Sequence, residues 1–177
     1  GFHTSGILAK SGNKVYGLDS LNNYYSIKLK KKRIFSLKRS WPKNFKFIKN
    51  NLNSEKTILE FLKKYKITII IHLAAQAGVR HSLKKPQDYV KNNIVATTNL
   101  MEASRKYNKI SHFLLASTSS VYASSIKMPF DEKDPADFPL QFYAATKRST
   151  ELMAHSYSHL YGIPFTILRF FTVYGPY

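Results

Sequence analysis

Tyr143 and Lys147 stand four residues apart in the stretch QFYAATKRSTELM, Gln141 to Met153. In a helix that spacing puts a phenol and an ammonium on one face, a turn apart. A phenol titrates near 10, so to take a proton at pH 7 it needs a depression of roughly three units, about 4 kcal/mol. A fixed ammonium a few ångströms away supplies part of it by favouring the phenolate. In a chain with 12 tyrosines and 28 lysines and arginines, such pairs also arise by accident, so the pair needs company.

Two more groups supply it. ASTSSVY (Ala116–Tyr122) ends an apolar run in hydroxyls. Thr118 there can donate to a substrate oxygen and pass a proton to Tyr143; a Ser/Thr-rich turn is the plainer reading. Asp19 closes KVYGLD. A carboxylate at the end of a strand can accept from both hydroxyls of an adenosine ribose, and it disfavours a 2′-phosphate, so NAD is expected over NADP. A loop aspartate is the plainer reading here. Upstream, Gly1 is the one glycine of the phosphate loop such a site needs. The chain is therefore expected to start inside a Gly-rich loop, with a first strand and two glycines missing.

The elements that must position these groups alternate. Helix is expected over Phe2–Lys10, strand over Lys14–Asp19, a basic helix over Lys28–Leu37 and strand over Phe45–Lys49. Ser54 offers an N-cap for an amphipathic helix through Tyr65. Ile67–Ala75 is almost wholly apolar, as in a strand buried on both faces. Pro86 opens a long helix towards Tyr107, and His112–Thr118 is the next buried strand. Gln141–Tyr161 is a helix ended by Gly162 and Pro164, and Phe165–Phe171 a last strand. Strands separated by helices of this length predict a doubly wound parallel α/β sheet. Ligands of such sheets bind at the carboxyl ends of the strands, where Asp19, Ala74, Ala75, Thr118 and Thr172 fall.

Composition bounds the rest. With 177 residues, 44% of them hydrophobic, the chain can build one domain with a real core;. No apolar run approaches the roughly 20 residues of a membrane helix, and no secretory pattern opens the chain. Cysteine is absent, which excludes a disulfide framework and thiolate chemistry and fits a cytoplasmic protein;. No metal site is expected. The net charge of +18 raises nucleic acid as a partner, but the lysines are spread out and no nucleic-acid motif accompanies them;. A positive field also attracts a nucleotide sugar. Neither nucleic acid nor membrane is expected as a partner.

Longer motifs carry a resemblance. GLDSLNNYY (Gly17–Tyr25), HLAAQAGVRHSLKKPQDYVKNN (His72–Asn93), STSSVY (Ser117–Tyr122), YAATK (Tyr143–Lys147), ELMAHSYSHLYG (Glu151–Gly162) and LRFFTVYGP (Leu168–Pro176) resemble the extended short-chain dehydrogenase/reductases. Within that family they are similar to the UDP-glucuronate 4-epimerases, and the likeness runs from Gly1 to Tyr177. It implies a Rossmann-like NAD-binding domain over residues 1–177, truncated at both ends. It also implies C4 epimerisation through a transient 4-keto sugar, with Tyr143 as base, Thr118 bridging and Lys147 on the nicotinamide ribose. Gly1, Asp19, Asn51, Leu73, Ala74, Ala75 and Asn92 would join Tyr143 and Lys147 around NAD. Ser119, Ser120 and Thr172 would meet the UDP-sugar, and a homodimer is expected. Related dehydratases and decarboxylases carry an acidic residue just after the catalytic Ser/Thr. Ser119 and Ser120 are neutral, which favours plain epimerisation.

The chain departs from the family pattern at Asn51, where Asp is usual, at Ala123, where Gly is usual, and at Ala96-Thr97, where Gly-Thr is usual. An amide oxygen can still accept the bond expected at Asn51. A carboxylate-reading Arg expected beyond the last residue is not in the chain, and the piece by itself is expected to be inactive. An epimerase of UDP-glucose or a UDP-N-acetylhexosamine, a non-catalytic NAD-binding protein and a basic nucleic-acid binder stay open as alternatives.

Overall fold

The structure, a computed structural model, describes residues 1–123, 125 and 128–176. It divides into two compact units, Gly1–Asn51 and Leu52–Tyr177. Each is α/β, with parallel strands joined by helices.

In the first unit α1 (Phe2–Lys10) leads to β1 (Val15–Asp19), α2 (Ile27–Ser40) and β2 (Phe45–Lys49). β1 and β2 pair in parallel, with Val15 opposite Phe45 and Asp19 opposite Lys49. Parallel neighbours need a crossover, and α2 provides it. Ala9, Leu37 and Phe45 form the core, with Phe2, Val15, Trp41 and Phe47 around them. Gly17 lets the strands carry the Phe45 ring, because a Cβ there would lie 3.0 Å from it. Ser26 caps α2 by accepting the Leu29 N–H;. Lys28, Lys31, Lys32, Lys38 and Arg39 are exposed along α2.

The second unit begins with α3 (Glu55–Tyr65), capped by Ser54, and β3 (Ile69–His72). Two short helices follow, α4 (Val79–Lys84) and α5 (Pro86–Tyr89), then a π-helical turn over Val90–Val95 that runs into α6 (Ala96–Tyr107). β4 (His112–Thr118), a 3₁₀ turn (Ser119–Tyr122), α7 (Phe142–Tyr161) and β5 (Phe165–Phe170) complete it. The sheet order is β3-β4-β5, all parallel. Along β4, Phe113 and Leu115 are buried while Leu114 and Ala116 are partly exposed, the period of two expected of a strand;. Phe113 and Leu115 pack with Ile58 and Leu62 of α3, Leu100 and Met101 of α6 and Ala154 of α7. Gly162 ends α7 in the left-handed region at φ 66, which a residue without Cβ adopts freely;.

Two expectations change. The strand expected over Ile67–Ala75 covers Ile69–His72, because pairing to β4 stops at His72 opposite Leu115 and Gln76 is drawn away by Asn93. Leu73, Ala74 and Ala75 therefore lie in the loop after β3. The long helix expected from Pro86 is interrupted by the π turn, and α4 precedes it unanticipated. The four strands other than β3 fall within one residue of their expected limits.

His72 ends β3 fully inside the second unit. Its Nε2 lies 3.0 Å from Thr97 Oγ1, and its ring meets Phe113 edge-on at 6.3 Å. Thr97 and its neighbour Ala96, the Ala-Thr departure noted above, are both buried here. Burial, with the Lys147 charge adding to it, pushes the His72 pKa down to about 3;. Between that value and the ordinary 6.5 the unfolded chain binds a proton that the folded one refuses. Stability is therefore complete above about 6.5 and falls as pH drops towards 3, by up to about 1.4 kcal/mol per pH unit from this residue. Urea unfolding between pH 4.5 and 6.5 should show that slope, and His72→Gln should flatten it; an unchanged slope would remove His72 as its source.

Candidate active site

α7 carries Tyr143 and Lys147 on successive turns. Three contacts fix its N-terminal end. The Tyr143 N–H donates to Ser82 Oγ at 3.3 Å. Thr146 Oγ1 donates to the Tyr143 carbonyl at 2.7 Å and accepts from Asn93 Nδ2 at 3.0 Å. Tyr89 meets the Tyr143 ring edge-on, 6.0 Å between centroids;. Asn93 lies in the π turn, fully buried, and also exchanges bonds with the Gln76 backbone: its Oδ1 accepts the Gln76 N–H at 2.7 Å and its Nδ2 donates to the Gln76 carbonyl at 3.1 Å. Tyr89 shares its hydroxyl proton between the Ala77 and Gly78 carbonyls. The loop after β3, the π turn and α7 are thereby held as one piece.

Lys147 is 2% exposed, and among the described residues its ammonium has no hydrogen-bond partner. Burial pulls its pKa down to about 8, and the Glu151 carboxylate one turn further on acts against the fall. The Lys147 stem is buried while its ammonium is not among the fully enclosed unpaired atoms, so its donors are open to a ligand that brings acceptor oxygens, such as a ribose diol;.

Thr118 ends β4 with extended backbone, 8% exposed. Its Oγ1 accepts the Ser120 N–H and donates to Ser120 Oγ, both at 3.2 Å, so the hydroxyl caps the 3₁₀ turn. α7 packs against β4, β5 and that turn. Thr118, Ser119, Ser120, Tyr143 and Lys147 thus share the second unit at adjoining element ends. Ala74 and Ala75 are exposed and Leu73 is partly so. Thr172 is exposed beyond the end of β5. Asn92 is partly exposed and its Nδ2 donates to the Asp88 carbonyl, whereas its neighbour Asn93 points inward.

Gly1, Asp19 and Asn51 belong to the first unit. Gly1 precedes α1 as its N-cap, with no side chain over the first amides. Open amides at a helix start suit a phosphate. Asp19 Oδ1 accepts from the Leu21 N–H at 2.6 Å and from Lys30 Nζ at 3.4 Å. Asn51 is exposed, and its N–H donates to Asn50 Oδ1.

Sequence reasoning missed a charged cluster beside this site. Glu151 is 2% exposed. Its Oε1 accepts from Ser117 Oγ at 2.5 Å, and its Oε2 from Arg169 Nη2 at 2.8 Å and Arg148 Nη1 at 2.9 Å. Burial alone would raise its pKa, but these donors hold it below the usual carboxylate range;. Arg169 Nη1 also donates to the Tyr122 hydroxyl at 2.7 Å, with the guanidinium 4.7 Å from that ring centroid;. The one signal for it was Glu151 four residues past Lys147. A cleft of about 600 Å³ opens beside the cluster, lined by Tyr122, Phe130, Arg148, Arg169 and Phe171 among others. Thr118, Tyr143 and Lys147 do not line it.

The family model described as GDP-mannose 4,6 dehydratase matches residues 1–177. UDP-glucuronate 4-epimerase 4 of Arabidopsis thaliana is 43% identical over 176 residues, 99% of this chain and 40% of that protein. The structure is similar to a crystal structure of UDP-glucuronic acid 4-epimerase from Bacillus cereus in complex with UDP-glucuronic acid and NAD, with a TM-score of 0.88 and 37% identity over 99% of this chain and 54% of that one. A UDP-N-acetylglucosamine 4-epimerase from Methanobrevibacter ruminantium M1 gives a TM-score of 0.85 at 31% identity, over 99% of this chain and 52% of that one. The chain spans about half the length of the proteins it matches, or less.

The bare ammonium generates a test in the ligand-free protein. Below about pH 8 the folded state must keep Lys147 charged inside. Between 8 and 10.5 the unfolded chain holds a proton that the folded one has lost, so this penalty shrinks as pH rises;. Lys147→Met should raise stability at pH 7 by on the order of 2 kcal/mol in urea unfolding. A loss of stability of that size would show that the ammonium is satisfied within the protein.

Proposed function

This chain belongs to the GDP-mannose 4,6 dehydratase family, and from that membership we propose that the protein is an NAD-dependent nucleotide-sugar 4-epimerase that converts UDP-glucuronate to UDP-galacturonate. The observation that carries the reading is Lys147, a buried lysine whose ammonium has no hydrogen-bond partner among the described residues, one turn from Tyr143. UDP-glucuronate 4-epimerases lead the evidence for the sugar, at 43% and 37% identity. The UDP-N-acetylglucosamine enzyme, at 31%, supports the alternative substrate less.

In this mechanism Lys147 donates to the nicotinamide ribose, and its charge favours the Tyr143 phenolate. Tyr143 takes the proton of the sugar 4-hydroxyl and later returns it, with Thr118 relaying or holding that oxygen. NAD, when bound, supplies reversible hydride transfer at C4. Asp19 holds the adenine ribose, Gly1 and the start of α1 receive the pyrophosphate, and Asn51, Leu73, Ala74, Ala75 and Asn92 complete the cofactor contacts. Ser119, Ser120 and Thr172 face the sugar. Ser119 and Ser120 are neutral where related dehydratases carry an acid, which favours epimerisation over elimination of water. The reading includes a cytoplasmic homodimer; exposed Phe142, Leu152 and Leu160 on α7 support a partner copy. Among the described residues no helix is long and apolar enough to cross a membrane.

The test uses the full-length protein with UDP-glucuronate and no added NAD, followed by proton NMR. UDP-galacturonate should appear. Absence of product, with NAD supplied as well, would rule out this substrate. In the same assay Tyr143→Phe should lower kcat by about 10²–10⁴-fold with NAD still bound; turnover near that of the parent would mean another group is the base.

A further inference from the structure

Glu151 has no part in the mechanism above, yet its carboxylate is where the elements of the second unit converge. It sits one turn beyond Lys147 on α7, 2% exposed. Ser117, which donates to it at 2.5 Å, immediately precedes Thr118 on β4. Arg169, which grips it through Nε at 3.1 Å and Nη2 at 2.8 Å, lies directly opposite Ser117 on β5. Arg169 also holds Tyr122, the last residue of the 3₁₀ turn that Thr118 caps. One buried carboxylate therefore ties α7, β4, β5 and the turn together, beside both the hydroxyl and the ammonium of the site.

We propose that Glu151 is a positioning residue: it fixes the strand end that bears Thr118 and keeps Lys147 in its charged form. The inference rests on the epimerase reading for its catalytic consequence, not for its electrostatics. Arg169 on β5, Arg148 on α7, Ser117 on β4 and Tyr122 on the turn face the carboxylate. Arg148 is shared with Asp137, in the segment before α7, at 3.3 Å. Lys147 interacts with Glu151 on its own helix and with neutral His72 on β3, and Tyr143 precedes it by one turn. Glu151 is thus the negative group of that circle nearest in sequence to the ammonium. Removing its charge leaves the Arg169 guanidinium and the ammonium without that carboxylate and Arg148 with Asp137 alone, and Lys147 gives up its proton more readily;.

Full-length protein labelled at lysine Cε, with Lys147→Met to assign the signal, reads the Lys147 titration by NMR whether or not the protein turns over. Glu151→Gln should move the midpoint down by about half a pH unit or more, and Glu151→Asp, which keeps the charge, should restore most of it. In the epimerase assay Glu151→Gln should lower kcat roughly tenfold with KM little changed, and shift the alkaline limb of kcat by the same interval. A Glu151→Gln midpoint equal to that of the parent overturns the proposal, since a purely structural role would lower the melting temperature without moving it. An inactive parent with a shifted midpoint would sink the substrate reading and leave this one standing. Should Glu151→Gln not fold, Ser117→Ala decides: amide hydrogen exchange at Ser119–Tyr122 should rise about tenfold, and unchanged exchange overturns the anchoring role.

Discussion

A buried lysine whose ammonium finds no acceptor among the described residues is the constraint around which the second unit is organised. Lys147 is buried on α7, which packs against β4, and a lysine so placed stays charged only where its neighbours compensate;. His72, the nearest titratable group on β3, is held neutral, so it adds no second cation. Glu151 supplies the opposite sign one turn away. The ammonium keeps unused donors as a result. Most polar groups around it are paired, although the buried Arg148 Nε next door also has no partner among the described residues.

The surroundings are correspondingly rigid. Asn93 spends both ends of its amide on Gln76 and a donor on Thr146. Thr146 passes the restraint to the Tyr143 carbonyl, and Tyr89 closes the same loop from below with its hydroxyl on two carbonyls. Buried polar networks of this kind specify one geometry when every member is paired. Lys147 stands out against the paired amides and hydroxyls of Asn93, Thr146 and Tyr89.

Much of this was legible before any coordinates. Apolar runs such as HFLLAST and the capped helices at Ser54 and Gly162 follow local rules, and they landed within a residue of expectation. The Tyr143–Lys147 pair is read from spacing, and Thr118 from its place at a strand end. What failed to show was phase. A π turn widens one turn of a helix, and nothing in VKNNIV announces it;. Counting 3.6 residues per turn from Pro86 gives no reason to prefer Asn93 over Asn92 as the inward amide. Glu151 was hidden for another reason. A carboxylate on an amphipathic helix usually faces water, and its partners Ser117 and Arg169 lie on two other strands, so only the parallel register of β4 and β5 reveals the cluster.

The outer face of α2 has a consequence of a different kind. Lys28, Lys31, Lys32, Lys38 and Arg39 follow one another along 14 residues of helix with no acidic side chain among them. At low ionic strength these charges repel across distances shorter than a Debye length of about 10 Å or more. Dissolved salt screens that repulsion, so it weakens as ionic strength rises. The salt of the medium thus acts on the first unit alongside the Ser26 cap and the core of Ala9, Leu37 and Phe45;.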